Sequence, residues 1–383
     1  MITLNRRDWL AGAMGVSVAF AGRSALAQDA DRNKLVVIIA RGAMDGLSVT
    51  VPSGDPNYEA LRGGLVVRGA LPLDGDFGLH PAMPRLHALH EAGEARFAPA
   101  VAIPARLRSH FDAQDILENG GAALRQERDG WLNRALAITG TRGLAVGAQT
   151  PLILRGDVQT ASWAPGGAPD DDGRLAALLM DLYADDPLLG PALTTGLQTE
   201  AMAQTALDGQ RLGPRNVATL GRGVAGLMAG PEGADIVALT LDGYDTHARQ
   251  GADEGQLANR LSIQDQVIDG LRLGLGEQWG RTAVVVATEF GRTVRANGTA
   301  GTDHGTASCL ILAGGAVRPG GLLGDWPTLA DNRLYEGRDL TPTLDVRSVF
   351  KGLLRDHLGL DQTDIERTVF PNSGEATAVS GLV

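Results

Sequence analysis

A chain of 383 residues with 44% hydrophobic residues can bury a sizeable core, and it is long for one domain without requiring two. The formal net charge of −11 argues against a nucleic-acid partner, because phosphate binding needs a basic surface. The single cysteine, Cys309, excludes an intramolecular disulfide and lies in an apolar run typical of a buried small hydrophobe.

The first residues are predicted to be an export signal. Arg6 and Arg7 precede a modest apolar stretch, which ends in the small-residue site Ala25-Leu26-Ala27. This pattern is typical of a twin-arginine signal peptide over residues 1–27, which the twin-arginine export machinery would recognise. A membrane anchor is the alternative, but the stretch contains glycines and is shorter than the roughly 20 residues of a membrane span. We therefore expect a periplasmic or secreted protein with no stable membrane span.

Strand and helix patterns alternate at both ends of the remaining chain. Residues 35–40 form a continuous apolar run rich in β-branched side chains, as in a strand buried on both faces. The next predicted elements are, in chain order, a helix in 80–93, a strand in 96–103, a helix beginning near Ser109, a strand in 234–243, a helix in 255–275, strands in 281–293 and 308–315, and a closing helix in 343–360. This alternation predicts an α/β fold, a three-layer sandwich with a mostly parallel central sheet. No repeat or long linker divides residues 33–375, which we expect to form a single domain.

The middle of the chain, residues 140–225, has a less regular pattern. Asp170, Asp171 and Asp172 lack the alternate-position spacing of a calcium loop, which favours a solvated turn. The segment Gly221–Gly226 (GRGVAG) matches a dinucleotide-binding glycine pattern, with Asp242 about twenty residues further on. The residues before it make a poor buried strand, and the run continues with a helical pattern. A redox enzyme that binds nicotinamide or flavin is therefore the least favoured hypothesis.

Polar residues follow the predicted strands, at the edge where functional groups collect in doubly wound sheets. In chain order they are Arg41, Asp45, Arg108, Ser109, His110, Asp112, Asp242, Asp245, His247, Glu289, Arg292, Asp303 and His304. Three of the seven histidines lie in this set. Carboxylates with imidazoles are the ligands that zinc or manganese prefers, whereas calcium favours oxygen alone. The pattern predicts a divalent metal site, with zinc favoured over manganese, magnesium and calcium.

Each of these motifs also has an ordinary structural interpretation. Asp45 precedes a glycine, a common turn sequence, and the aspartates of 242–247 (DGYDTH) can cap a turn through their side chains. Residues 302–305 (TDHG) can form a plain loop. Their joint position after strands favours function over these separate alternatives. A G-x-S-x-G motif is absent from residues 28–383, which weakens a serine-hydrolase hypothesis.

Seven segments together resemble one protein family over about residues 33–360. They are LVVIIARGAMDGLS, LHPAMP, RSHFDAQDILENG, GWLNRAL, LTLDGYDTH, ATEFGRTVRANGTAGTDHG and GDWPTL. The chain resembles the domain-of-unknown-function 1501 family, exported bacterial proteins placed in the alkaline-phosphatase-like superfamily with sulfatases and phosphoglycerate mutases. The resemblance implies an alkaline-phosphatase-like fold.

The sulfatase-like order of motifs implies roles for particular residues. Asp45 takes the place of the metal-binding acid after the first strand, and Ser109 that of the nucleophile at a helix N-terminus, where the helix favours anions. Asp245 and His247 match an Asp-x-His-like pair, and His304 fits the last histidine.

The chain departs from that order at one ligand. If Glu289 replaces the superfamily's aspartate, Phe290 stands where a histidine ligand is expected. If Asp303 and His304 are instead the Asp-His pair, no further histidine follows before His357. A site for one metal, a weak site, or a site that has lost catalysis all remain open.

The leading hypothesis is an exported metal-dependent hydrolase of small anionic phosphate or sulfate esters. Ser109 is the predicted nucleophile, and Arg108 or Arg292 is predicted to hold the non-bridging oxygens. The predicted metal ligands are Asp45, Asp242, Asp245, His247, Glu289, Asp303 and His304, with the choice between Asp242 and Asp245 open. The alternative is a catalytically inactive exported binding or assembly protein on the same fold.

Overall fold

The fold is described by a computed structural model for residues 32–147, 149–165, 174–187, 189–207, 217–230 and 232–383. The predicted signal peptide (1–27) and the acidic turn at 170–172 lie outside these residues. Among the helices in these ranges, none combines the length and apolarity that crossing a membrane requires.

The strands form one large sheet and one small sheet. Their bounds are β1 Lys34–Arg41, β2 Thr50–Val51, β3 Leu71–Pro72, β4 Gly78–Leu79, β5 Ala95–Ala102, β6 Gly143–Val146, β7 Ala161–Trp163, β8 Ile236–Asp242, β9 Thr282–Ala287, β10 Ser308–Ala313 and β11 Leu344–Asp345. The large sheet has eight strands in the order β11-β5-β10-β9-β1-β8-β6-β7, and the small sheet has the order β2-β4-β3. In the large sheet only β10 runs antiparallel to its neighbours, β5 and β9. The predicted α/β class with a mostly parallel central sheet is confirmed.

Helices cover both faces of the large sheet. Their bounds are α1 Gly46–Val49, α2 Tyr58–Arg62, α3 Pro84–Glu91, α4 His110–Asn119, α5 Trp131–Thr139, α6 Arg174–Leu182, α7 Leu189–Ala206, α8 Ala218–Met228, α9 Gln256–Leu275, α10 Val346–Asp356 and α11 Gln362–Asp364, with short 3₁₀ turns at Gly63–Leu65, Leu152–Leu154, Gly276–Arg281 and Asp331–Arg333 and a π turn at Ile365–Val369. Alternate residues of β1 enter two separate cores. Val36 and Ile38 pack with side chains of α3, α8 and α9, whereas Leu35 and Val37 pack with those of α4, α5 and α10. The result is the predicted three-layer sandwich, in which each buried aliphatic side chain contributes about 1.5–3 kcal/mol.

The middle segment is more regular than its sequence pattern indicates. Its described part contains β6, β7 and helices α6 to α8. The sequence pattern missed β6 and β7 because strands of four and three residues are too short to show periodicity. The glycine-rich segment 221–226 lies inside α8 and not at a strand-to-helix turn. Gly221 packs directly against the backbone of α9, where a Cβ would lie 2.2 Å from the Val267 oxygen, so this glycine serves helix packing.

The direction of β10 brings a further loop to the functional edge. The parallel strands β1, β5, β8 and β9 all end at one edge of the sheet. Because β10 is antiparallel, the loop that precedes it, residues 288–307, returns to that same edge. The loop after β8 and the N-terminus of α4 meet it there.

Candidate metal centre

Four donor atoms converge on one point at this edge. Asp245 and His247 come from the loop after β8, His304 from the loop before β10, and His110 from the first turn of α4. His304 Nε2 lies 2.9 Å from His247 Nε2 and 3.1 Å from His110 Nε2. Asp245 Oδ1 lies 3.0 Å from His247 Nε2, 3.2 Å from His304 Nε2 and 3.5 Å from His110 Nε2. Three of these groups, His110, Asp245 and His304, together have the spacing to hold a metal ion.

Five of the six separations among these atoms are in the range expected around a zinc ion. Four ligands at zinc–ligand distances of about 2.0–2.1 Å in a tetrahedron are about 3.3 Å apart. Four of the five separations are 2.9–3.2 Å, slightly below that value, and the fifth is 3.5 Å. Imidazole nitrogens with one carboxylate oxygen are also the donor set that zinc prefers.

Hydrogen bonds at the outer nitrogens fix the orientation of the imidazoles. His110 Nδ1 lies 2.7 Å from Glu289 Oε1, and His304 Nδ1 lies 2.8 Å from the Arg108 carbonyl oxygen. His247 Nδ1 lies 3.5 Å from Asp303 Oδ1. A carbonyl oxygen and an ionised carboxylate can only accept, so Nδ1 of His110 and of His304 carries a proton. The Nε2 atoms of these two rings then face the centre.

Facing lone pairs favour a shared cation. Two neutral imidazoles whose Nε2 lone pairs point at each other across 2.9 Å repel, and a proton on the Nε2 of one ring relieves only the contact along which it points. A divalent ion at the shared point removes the conflict, because every lone pair then coordinates it. The outer acceptors are the partners that typically orient metal-bound histidines. The residues present therefore fit a single divalent metal.

Glu289 lies behind His110 and not at the centre. Its side chain is fully buried, and Oε1 also accepts from the Gly42 backbone N–H at 2.9 Å and Gln114 Nε2 at 3.0 Å. Burial acts to raise the pKa of Glu289, but these hydrogen bonds, led by that of His110, outweigh it and the pKa lies below its usual value. The ionised carboxylate in turn raises the pKa of His110.

Asp303 lies outside His247 and holds the loop. Its Oδ1 accepts from Asn297 Nδ2 at 3.1 Å as well as facing His247. The hydrogen bond from Asn297 is the main cause that lowers the pKa of Asp303. Glu289 and Asp303, both predicted as metal ligands, thus lie against the outer nitrogens of His110 and His247 and not at the four central atoms.

Arg292 and Asp245 form an ion pair beside the centre. Burial acts to raise the pKa of Asp245, but the hydrogen bond from Arg292 lowers it below the usual value. Arg292 is buried and also donates to the carbonyl oxygens of Gly42 at 2.8 Å, Ala43 at 2.8 Å, Thr302 at 3.1 Å and Tyr244 at 3.2 Å. These bonds use most of the donors of Arg292. They join the loop after β1, the loop after β8 and the loop before β10.

Arg108 and Ser109 precede His110 at the N-terminus of α4. The Arg108 guanidinium binds Asp339 and Glu336, each at 2.7 Å, while its carbonyl orients His304. Ser109 is the N-cap residue of α4, but its exposed side chain makes no capping hydrogen bond. Its hydroxyl is therefore available at the positive end of the helix, beside a ligand.

Asp45 and Asp242 are not brought to the four central atoms. Asp45 is buried and forms an ion pair with Arg62, and its Oδ2 also accepts from Ser48 Oγ at 2.9 Å and Gln250 Nε2 at 2.6 Å. Asp242 ends β8 with an exposed side chain, and within the described part of the chain it makes no hydrogen bond or ion pair to the centre. Of the two open alternatives, Asp245 is the one that points inward.

Sequence reasoning left two residues of the site unassigned. His110 was noted at the strand edge, and its position one residue after the predicted helix start was the available signal. Gln250 had no signal, because its contacts are with two distant segments, one containing Asp45 and Ser48 and the other Thr302.

The chain was compared with curated proteins and with solved structures. No curated protein matches the sequence. The chain is similar to the zinc complex of the C-terminal periplasmic domain of EcEptC from Escherichia coli, with 12% identity over 75% of this chain and 74% of that chain and a TM-score of 0.37. It is similar to the phosphonate monoester hydrolase of Agrobacterium radiobacter, with 11% identity over 86% and 74% of the two chains and a TM-score of 0.39. A protein in the alkaline phosphatase superfamily from Vibrio parahaemolyticus shows 11% identity over 77% and 63%, with a TM-score of 0.35.

One family model covers most of the chain. The model described as protein of unknown function (DUF1501) matches residues 32–369. The chain therefore belongs to the DUF1501 family, which confirms the family predicted from its motifs.

Proposed function

We propose that this member of the DUF1501 family is an exported metal-dependent hydrolase of phosphate or sulfate esters. The observation that carries the proposal is the convergence of three imidazole Nε2 atoms and one carboxylate oxygen, with separations between 2.9 and 3.5 Å. His110, Asp245, His247 and His304 would hold the metal. A divalent cation there supplies Lewis-acid chemistry, since it neutralises charge on ester oxygens and favours an ionised nucleophile.

Ser109 is the nucleophile of this proposal. Its hydroxyl is exposed, makes no capping hydrogen bond, and directly precedes the ligand His110 at the N-terminus of a ten-residue helix. The partial positive charge of that terminus stabilises both the ionised hydroxyl and an anionic ester. Ser109 Oγ would give its proton to solvent and form a bond to phosphorus or sulfur, while the ester oxygen leaves with its electron pair and takes a proton from solvent. Water would then attack phosphorus or sulfur, the bond to Oγ would break, and phosphate or sulfate would leave as the Ser109 hydroxyl is restored.

The two arginines have different parts in the proposal. Arg292 holds the loops together and neutralises Asp245, because most of its donors already bind protein oxygens. Arg108 binds Asp339 and Glu336 through Nε and Nη2, but its side chain is 31% exposed, so it is the arginine we propose to contact the ester's non-bridging oxygens.

A second candidate function is favoured by the number of donors. Four protein ligands fill a tetrahedral shell, as in structural zinc sites, whereas catalytic sites keep one position open. The closed shell favours an exported binding or assembly protein. In the hydrolase, His247 would leave the shell when substrate binds: its side chain is 46% exposed, against 24% for His110 and His304.

Elemental analysis of the mature protein after dialysis tests the metal site. We expect one equivalent of zinc in the wild type and its loss from both His247→Ala and His304→Ala. The protein is then reloaded and assayed with 4-nitrophenyl phosphate and 4-nitrophenyl sulfate, beside Ser109→Ala.

The outcomes separate the two candidates. Metal-dependent turnover that Ser109→Ala abolishes while keeping its zinc supports the hydrolase. Bound zinc with no turnover of either ester supports the binding protein. A wild type that takes up no metal after reloading contradicts the hydrolase and leaves a binding protein without a metal.

A further inference from the structure

A buried glutamine joins the two loops that carry three of the four ligands. Gln250 is fully buried, and its Oε1 accepts from Thr246 Oγ1 and from Thr302 Oγ1, each at 2.8 Å. Thr246 lies between the ligands Asp245 and His247. Thr302 lies two residues before His304. One amide oxygen therefore fixes both ligand loops at the same point.

The amide nitrogen of Gln250 binds residues that follow β1. Gln250 Nε2 donates to Asp45 Oδ2 at 2.6 Å and to Ser48 Oγ at 3.3 Å. Asp45 is held in turn by the buried Arg62, whose side chain has no solvent exposure. A carboxylate that is paired with an arginine cannot donate, so the amide nitrogen must face it.

This anchor determines the direction of every hydrogen bond in the network. With Nε2 on Asp45, Oε1 must face the threonines, and both hydroxyls must donate to it. The amide cannot flip without placing its oxygen against the Asp45 carboxylate and its N–H₂ group against two hydroxyls. The buried network therefore has one arrangement, and that arrangement sets the separation of the two loops.

Backbone hydrogen bonds run alongside this bridge. Thr302 N donates to Thr246 O at 3.2 Å, and Gln250 N donates to Ala300 O at 2.9 Å. These bonds align the loops, while the side-chain bridge holds the residues next to the ligands.

We propose that Gln250 is a positioning residue for the metal centre, and that Asp45 acts on the metal through Gln250 and not as a ligand. The inference rests on the metal site of the proposed function. It adds to that site the buried hydrogen-bond network of Gln250 with Thr246, Thr302, Asp45 and Ser48. This network sets the distances between the ligand atoms by holding the two loops that carry them.

Isosteric threonine variants test the bridge. Thr246→Val and Thr302→Val each remove one hydroxyl and keep the shape of the side chain. Thr282→Val is the matched control, because Thr282 is also buried and donates to a backbone oxygen, that of Gln278 at 2.8 Å, at the opposite end of β9. Zinc affinity is measured by chelator competition, and the visible absorption spectrum of the cobalt-substituted protein reports the ligand geometry.

We expect each bridge variant to bind zinc about tenfold more weakly than the wild type, as for other outer partners of metal ligands. Their cobalt spectra should shift, while Thr282→Val keeps both the affinity and the spectrum of the wild type. Zinc affinity and cobalt spectra equal to those of Thr282→Val would overturn the positioning role and leave the metal site intact. A wild type that binds neither ion would overturn this inference together with the metal site.

Discussion

At the residue scale, the centre depends on which nitrogen of each imidazole faces inward. The outer nitrogens of His110 and His304 bind acceptors at 2.7 and 2.8 Å, so their inner lone pairs are oriented before any metal arrives. The Glu289 carboxylate does this for His110 from a fully buried position. Its charge also makes the imidazole a stronger ligand. Removing that charge should therefore weaken the metal site without removing a ligand.

We predict that Glu289→Gln weakens zinc binding about tenfold or more. Glutamine keeps an acceptor oxygen for His110 but carries no negative charge, and its N–H₂ group takes the position of Oε2, which accepts from the Thr288 hydroxyl at 2.9 Å. Chelator competition measures the affinity. Glu118→Gln is the control, since Glu118 is a buried carboxylate on the same helix that pairs with Arg41. Equal zinc affinity in the two variants would contradict the role of Glu289.

At the element scale, the site depends on a close contact between two loops. The loop after β8 supplies Asp245 and His247, and the loop before β10 supplies His304. At Gly301 the second loop crosses the first so closely that a Cβ would lie 2.3 Å from the His247 carbonyl carbon. Only glycine allows this approach without moving one of the loops.

We expect Gly301→Ala to separate the loops and to impair both folding and metal binding. Overpacking at a tight backbone contact costs about 1–3 kcal/mol in the free energy of unfolding. Zinc affinity should fall as well, because His247 moves away from His304. Urea unfolding and chelator competition measure the two effects.

The same loop offers a control for this substitution. Gly298 has no neighbouring atom within 4 Å of an added Cβ, so Gly298→Ala should leave stability and zinc affinity unchanged. If Gly301→Ala binds zinc as tightly as Gly298→Ala, the loop contact does not position the ligands.

At the scale of the whole molecule, stability depends on buried histidines away from the centre. His80 is fully buried, its Nδ1 accepts from the Ala82 backbone N–H at 3.1 Å, and its Nε2 donates to the Ala252 carbonyl at 2.8 Å. His357 is also buried, with Nε2 donating to the Lys34 carbonyl at 2.9 Å. Burial lowers the pKa of both residues in the folded protein. Both are therefore neutral when folded at a pH where the unfolded chain already binds a proton.

We predict that the free energy of unfolding falls as the pH drops below about 6.5, the ordinary histidine pKa. There the unfolded state binds more protons than the folded state, and each such histidine contributes a slope of up to about 1.4 kcal/mol per pH unit. Urea unfolding of the metal-free protein between pH 7.5 and 5 measures the slope. His80→Gln should show a shallower slope than the wild type. An unchanged slope in that variant would contradict the role of His80.

The sequence by itself determined the family, the α/β class and the edge of the sheet where polar residues collect. Apolar β-branched runs identify buried strands locally, and the residues after them must lie at the strand ends. That reasoning placed Asp245, His247 and His304 in one candidate site. It also marked Ser109 as the start of a helix, which the structure confirms.

The tertiary structure alone decided which groups point inward. Asp45 follows a strand as Asp245 does, but Arg62 pairs with it inside the protein. Glu289 lies against the outer nitrogen of His110, and Asp303 lies against that of His247. Each of these pairs joins two different segments of the chain. Gln250 bridges loops that become neighbours because β10 runs antiparallel to β9. Such roles depend on side-chain directions and on contacts between residues about 200 positions apart, and no local sequence pattern encodes them.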